Sequence, residues 1–121
     1  MKLGVAVLGC GRIGQSHLRS VAMLSDLATL VAAVDSREEL AKESAKRFGA
    51  KRWYASIDAA LEDKEISAVV VALPNASHEE VTLKAAKAGK HILVEKPMAS
   101  NLLQADAMIR VCKSAEVTLM V

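Results

Sequence analysis

Apolar and polar positions along the chain alternate between two periods. Leu3 to Leu8 is an apolar run broken only by Gly4, as expected of a strand buried on both faces. From Arg12 the period lengthens, and Ile13, Leu18, Val21, Ala22 and Leu24 define the apolar face of a helix reaching about Leu24. Leu27 to Val34 is a second apolar strand, closed by Asp35. Ser36 and Glu39 stand at capping-box spacing and predict a helix ending near Phe48, with Gly49 as its cap. Trp53-Tyr54 predicts a short strand, and Ser56 a brief helix through Leu61. Ala68 to Leu73 has the strongest β pattern and ends at Pro74. Ser77 and Glu80 repeat the capping-box spacing at the head of a helix that closes at Gly89. His91 to Val94 is a buried strand stopped by Pro97. Asn101 and Gln104 head a last helix to about Ala115, and Val117 to Val121 reads as a final strand.

Strands and helices alternating at this rhythm predict right-handed βαβ crossovers and a doubly wound α/β domain, its mainly parallel sheet covered by helices on both faces. One domain spans residues 1–121, with no internal repeat or linker. Ligands of such sheets lie outside the carboxyl ends of the strands, where the strand order reverses. Gly9, Asp35, Leu73-Pro74-Asn75 and Glu95-Lys96-Pro97 all fall at those ends. Four unusual segments therefore converge on one crevice.

Composition narrows the possible functions. Hydrophobic residues make up 52% of the 121-residue chain, enough for a core without metals or disulfides. Aromatics are only 2%, which leaves a core of Ala, Val, Leu and Ile suited to close packing of helix on sheet. A formal charge of +2 without a basic run offers no nucleic-acid or membrane-surface footprint. No apolar run is long enough to span a bilayer, and the N-terminus enters the first strand directly, without a signal peptide. Cys10 and Cys112 match no disulfide, redox or metal spacing, so a reducing cytoplasm is the simplest setting. The apolar ending, Val117-Thr118-Leu119-Met120-Val121, predicts a parent protein that continues beyond it.

The glycines at 9, 11 and 14 follow the first strand with the spacing of a dinucleotide-binding turn. Gly9 allows the tight turn, Gly11 lets a pyrophosphate approach the backbone, and Gly14 lets the helix pack on the strand. Arg12, inside the turn, either lies against the pyrophosphate or is a solvated first-turn side chain. Asp35, about twenty residues on, stands where an acid binds both ribose hydroxyls and favours NAD over NADP. It also reads as a solvated strand-end acid or a partner of Ser36. Arg37 complicates that preference, because a guanidinium there stacks on adenine or tolerates a 2′-phosphate. Glu95-Lys96-Pro97 places a charged pair directly after a buried strand. A solvated turn is the ordinary reading, but a lysine beside a substrate alcohol and a cationic nicotinamide is a usable acid/base.

Together, Gly9-Cys10-Gly11-Arg12-Ile13-Gly14, Asp35, Pro74-Asn75 with His78, Ala88-Gly89-Lys90-His91 and Glu95-Lys96-Pro97 resemble the N-terminal, nucleotide-binding domain of the Gfo/Idh/MocA oxidoreductases. The resemblance covers essentially the whole chain, and the Glu-Lys-Pro turn is its most specific part. It implies a Rossmann-type fold that binds NAD(H) or NADP(H) and serves hydride exchange at a hydroxyl or carbonyl of a sugar, cyclitol or related compound. Lys96 would assist proton transfer, with Glu95 and Pro97 shaping its turn. Leu73, Pro74, Asn75 and His78 would line the nicotinamide side, and Ile13 the glycine turn. His78 alone would otherwise read as a surface residue of a first helical turn, and His17 and His91 as structural. The resemblance further implies a second, substrate-binding and oligomerising domain outside this chain, making the isolated domain inactive and the parent a homo-oligomer. A non-catalytic dinucleotide sensor is the alternative; the Glu-Lys-Pro turn argues against an adenosyl-dependent methyltransferase.

Overall fold

Six strands and five α-helices alternate along residues 2–121, the part of the chain described by the structure, a computed structural model. They run β1 (Leu3–Leu8), α1 (Arg12–Met23), β2 (Ala28–Val34), α2 (Glu38–Phe48), β3 (Arg52–Tyr54), α3 (Ile57–Leu61), β4 (Ala68–Val71), α4 (His78–Lys87), β5 (His91–Val94), α5 (Leu102–Ser114) and β6 (Leu119–Met120). All six strands are parallel, in the order β3-β2-β1-β4-β5-β6. The order reverses between β1 and β4, so the exits of those two strands flank the crevice expected of a doubly wound sheet.

The pleat of the strands divides the core in two. Val5, Val7, Leu30, Ala33 and Val70 pack against α1 and α2 through Leu18 and Ala45. Ala6, Leu8, Val34, Val69, Val71, Ile92 and Val94 face α3, α4 and α5, meeting Ala60, Val81, Ala85, Met108 and Cys112. Small residues dominate both layers, as the scarcity of aromatics required. On the α1 side, helix cover thins from β4 toward β6. Leu24, Leu27, Val70, Leu93 and Met120 line an apolar depression of about 470 Å³ there. No described helix is long and apolar enough to cross a membrane.

Several local expectations change. Ser36 and Glu39 do not form a capping box: Arg37 is the N-cap of α2 and no side chain caps it. Ser77 does not cap α4 either, because a 3₁₀ turn at Asn75–Ser77 leads into the helix and leaves Ser77 with helical dihedrals. Ser56 and Asn101 do cap, accepting from the N–H groups of Ala59 and Gln104. Gly49 closes α2 in the left-handed conformation, with φ 76°. β4 stops at Val71, which frees Ala72 and Leu73 for the crevice, and the last strand shrinks to Leu119–Met120. Ile13 and Leu24 are half exposed, so the inward stripe of α1 is Gly14, His17, Leu18 and Val21.

Candidate functional site

The exit of β1 is built by two glycines that nothing larger can replace. Gly9 has φ +102°, and a Cβ on it would collide with the Ala72 carbonyl. A Cβ on Gly14 would collide with the Gly9 carbonyl, so the first turn of α1 sits directly on the end of β1. Gly11 differs, since its nearest neighbour to such a Cβ is Arg37 Nη2 at 4.0 Å. Protein packing therefore does not require glycine at 11; the empty space faces the crevice and fits a ligand that approaches the backbone. Helix α1 also begins without a capping side chain and without an acid in its first turn. The other helices have one or the other. Its unpaired N–H groups and positive dipole end are thus left for an anion from outside.

The exit of β2 is tied to that turn by Asp35. Its Oδ2 accepts from Cys10 N–H at 2.9 Å, and its Oδ1 from Arg37 N–H at 2.8 Å and Arg37 Nε at 3.1 Å. Burial alone would raise the Asp35 carboxyl, but the hydrogen bonds from Arg37 and Cys10 outweigh it and hold the group below its ordinary value. Arg37 Nη2 adds a fourth donor at 3.3 Å, so the carboxylate's acceptor positions are occupied. Two of those acceptor positions are held by the Arg37 side chain, which is itself 67% exposed. Gln15 braces the same turn, donating to the Cys10 carbonyl at 3.0 Å and to Ser44 Oγ at 2.9 Å. Cys10 is buried, its thiol pushed up by desolvation, and it acts as a small packing residue.

The exits of β4 and β5 are joined by histidines. His78 is fully buried, with Nδ1 2.8 Å from the Pro97 carbonyl and Nε2 2.9 Å from the Leu73 carbonyl. It lies beneath the crevice as a strut between two loops. The expectation that its side chain lines the nicotinamide side is thereby corrected, because no ring edge is left to touch a ligand. The Lys96–Pro97 peptide bond is cis. Glu95 is paired with His17, Nε2 to Oε2 at 2.8 Å, and this hydrogen bond is the main reason its carboxyl is held low. Lys96 is exposed and makes no side-chain hydrogen bond within the described chain. His91 accepts from Thr118 N–H at 3.0 Å, a structural role as expected.

The structure brings most of the candidate residues to three neighbouring cavities. Gly11, Arg12, Ile13, Leu73, Asn75, Glu95 and Lys96 share a cavity of about 340 Å³. It meets a second, of about 390 Å³ and containing Arg37, at Gly11 and Arg12. It meets a third, of about 200 Å³ and containing Asp35, at Leu73. Pro74 is exposed at the rim. Sequence reasoning read His17 only as structural, without its partner Glu95, and did not single out Gln15. For His17 a signal existed: it is an ionisable ring on the inward stripe of α1, three residues after a glycine that packs on the sheet.

Residues 3–121 match the family model GFO_IDH_MocA, described as "Oxidoreductase family, NAD-binding Rossmann fold". The chain is 36% identical over 115 residues to myo-inositol 2-dehydrogenase of Thermotoga maritima, covering 95% of this chain and 34% of that protein. It is 35% identical to scyllo-inositol 2-dehydrogenase (NAD(+)) of Bacillus subtilis, covering 84% of this chain and 30% of the relative. Among solved structures, the WlbA dehydrogenase of Bordetella pertussis in complex with NADH and UDP-GlcNAcA superposes with a TM-score of 0.92 at 32% identity, over 98% of this chain and 36% of that one. The chain thus spans about a third of the length of these relatives.

Proposed function

The chain belongs to the Gfo/Idh/MocA oxidoreductases as their NAD-binding domain, and we propose that it holds a nicotinamide dinucleotide along the crevice from Asp35 to Lys96 within a longer dehydrogenase or reductase. One observation carries the reading. The open backbone at Gly11, the uncapped start of α1, Asp35 with Arg37, and the exposed Lys96 line three neighbouring cavities, which share Gly11, Arg12 and Leu73, at the carboxyl ends of β1, β2, β4 and β5. The first turn of α1 binds the pyrophosphate through its N–H groups, with Arg12 against the same charge. Asp35 binds the adenosine ribose once Arg37 moves aside, which favours NAD. The displaced Arg37 also supplies a partner for a 2′-phosphate, so NADP is accepted as well.

A nicotinamide held there would supply hydride donor or acceptor chemistry toward a substrate carbon. Lys96 holds the accompanying proton: as a neutral amine it takes the proton of an alcohol being oxidised, and as an ammonium it returns it to a carbonyl being reduced. Leu73 and Asn75 wall the nicotinamide side of the crevice. The substrate is a cyclitol, sugar or related polyol, in line with the relatives' named substrates. The groups that select it lie outside this chain, in a substrate-binding part of a homo-oligomeric, cytoplasmic parent, and the isolated domain binds cofactor without turnover.

Titration of the chain with NADH and NADPH, followed by nucleotide fluorescence, tests the cofactor assignment. Binding of NADH, and more weakly of NADPH, is expected; failure to bind either at millimolar concentration, about the weakest useful affinity, overturns it. In a longer protein carrying this domain, Lys96→Ala should lower turnover by about 100-fold while largely sparing nucleotide affinity. Unimpaired turnover removes Lys96 from the chemistry.

A further inference from the structure

His17 breaks the apolar stripe that α1 turns toward the sheet, where Gly14 and Leu18 are buried. Its partner Glu95 is 78 residues away in sequence, at the exit of β5. β1, which leads into α1, and β5 are not neighbours in the sheet, because β4 lies between them. The 2.8 Å contact from Nε2 to Oε2 therefore bridges over the exit of β4. It links the helix that begins at the glycine turn to the segment that carries Lys96. A carboxylate only accepts, so the hydrogen is on His17 Nε2. Both side chains are largely shielded, at 24% and 29% exposure, which strengthens the pair relative to a surface contact.

The backbone of Glu95 is fixed by its N–H donating to the Val71 carbonyl at 3.0 Å. Its side chain is fixed by His17. Without that donor, the ammonium of Lys96, the next residue and already within its field, is a cation available to the Glu95 carboxylate. A Lys96 folded back onto Glu95 is withdrawn from the crevice. We propose that His17 is a positioning residue: by occupying Glu95 it keeps Lys96 directed into the crevice and sets the gap between the first turn of α1 and the Glu95-Lys96-Pro97 turn. This rests on the cofactor reading above, with the nicotinamide half at the Lys96 end.

ADP and NADH separate the two ends of the crevice, since ADP lacks the nicotinamide riboside. In the full chain, His17→Leu keeps the volume and removes the hydrogen bond. NADH affinity should fall about tenfold because the gap that admits the nicotinamide half is no longer set, an effect that loss of the Lys96 side chain alone does not produce, while ADP affinity stays within about twofold. His17→Gln, whose Nε2 amide can donate from nearly the same place, should restore most of the NADH affinity. Unchanged NADH affinity in His17→Leu, or equal losses for ADP and NADH, overturns the positioning role alone. If the unaltered chain binds neither ligand, the cofactor reading fails and this inference falls with it. Should His17→Leu not fold, NMR of the unaltered chain decides. The His17 imidazole signals should shift more with NADH than with ADP, and equal shifts overturn the proposal.

Discussion

The two sides of the crevice are held by different means. At the phosphate end, Gly9 and Gly14 let backbone lie against backbone, and Asp35, Gln15 and Arg37 tie neighbouring turns together. At the other end, beyond the Ala72 carbonyl on which Gly9 packs, side chains and not glycines hold the exits of β4 and β5. Two histidines do so, His78 between the carbonyls of Leu73 and Pro97, and His17 on Glu95. Rigid geometry suits a pyrophosphate, whose shape is the same in every dinucleotide. Under the proposed reading, side-chain struts suit the end where a proton and a hydride would be exchanged, because they can fix a loop while leaving Lys96 without a partner.

The sharpest way to break this comparison is at the glycines. Gly14→Ala pushes a Cβ into the Gly9 carbonyl, so helix and strand must separate. A loss of about 3 kcal/mol or more is expected in chemical denaturation, the scale of severe overpacking. Gly11→Ala meets no protein atom closer than 4.0 Å and should change stability by under about 0.5 kcal/mol, yet weaken NADH binding at least tenfold. If the two variants lose stability equally, Gly11 serves the fold and the distinction between the glycines disappears.

At the opposite end, His78→Phe fills the site but removes both carbonyl contacts. A loss of about 2 kcal/mol is expected, with faster hydrogen exchange in residues 72–77 and 95–99 and little change in residues 9–14. Faster exchange throughout would show that the two ends unfold together and are not held separately.

What was legible in the sequence follows the same division. Apolar runs located β1, β2 and β5 to within a residue, and the glycine spacing located the tight turn from β1 into α1, because both are set by near neighbours in the chain. The capping boxes at Ser36 and Ser77 failed for local reasons that spacing does not encode. Asp35 takes the Arg37 N–H ahead of the α2 start, and a 3₁₀ turn absorbs Ser77 into the approach to α4. The His17–Glu95 pair was invisible because its partners meet only after β4 and β5 have added to the sheet. His78 was assigned to the right crevice but to the wrong surface of it. A pattern that puts a histidine in a first helical turn does not say that two loop carbonyls will close over it.

The smallest expected effect tests whether the carboxylate of Asp35 holds the phosphate end together in its charged form. Asp35→Asn keeps one acceptor but turns an amide toward the donors of Cys10 and Arg37, so a loss of about 1 to 2 kcal/mol is expected near neutral pH. The sign of its pH dependence follows from the direction of the shift. The folded-state pKa of Asp35 lies below the ordinary 3.8, so its contribution is fully present above that value. As the pH falls through 3.8 toward the folded-state pKa, the unfolded chain takes up the proton first and the contribution is lost. Urea denaturation of both proteins should therefore show a constant gap down to about pH 5 and a narrowing gap by about pH 3. A gap that stays constant to pH 3, about a unit below the ordinary carboxylate value, would mean that shape, not charge, joins Asp35 to the glycine turn. The charge of Asp35 would then add nothing to the hold that the glycines and Gln15 already have on that end.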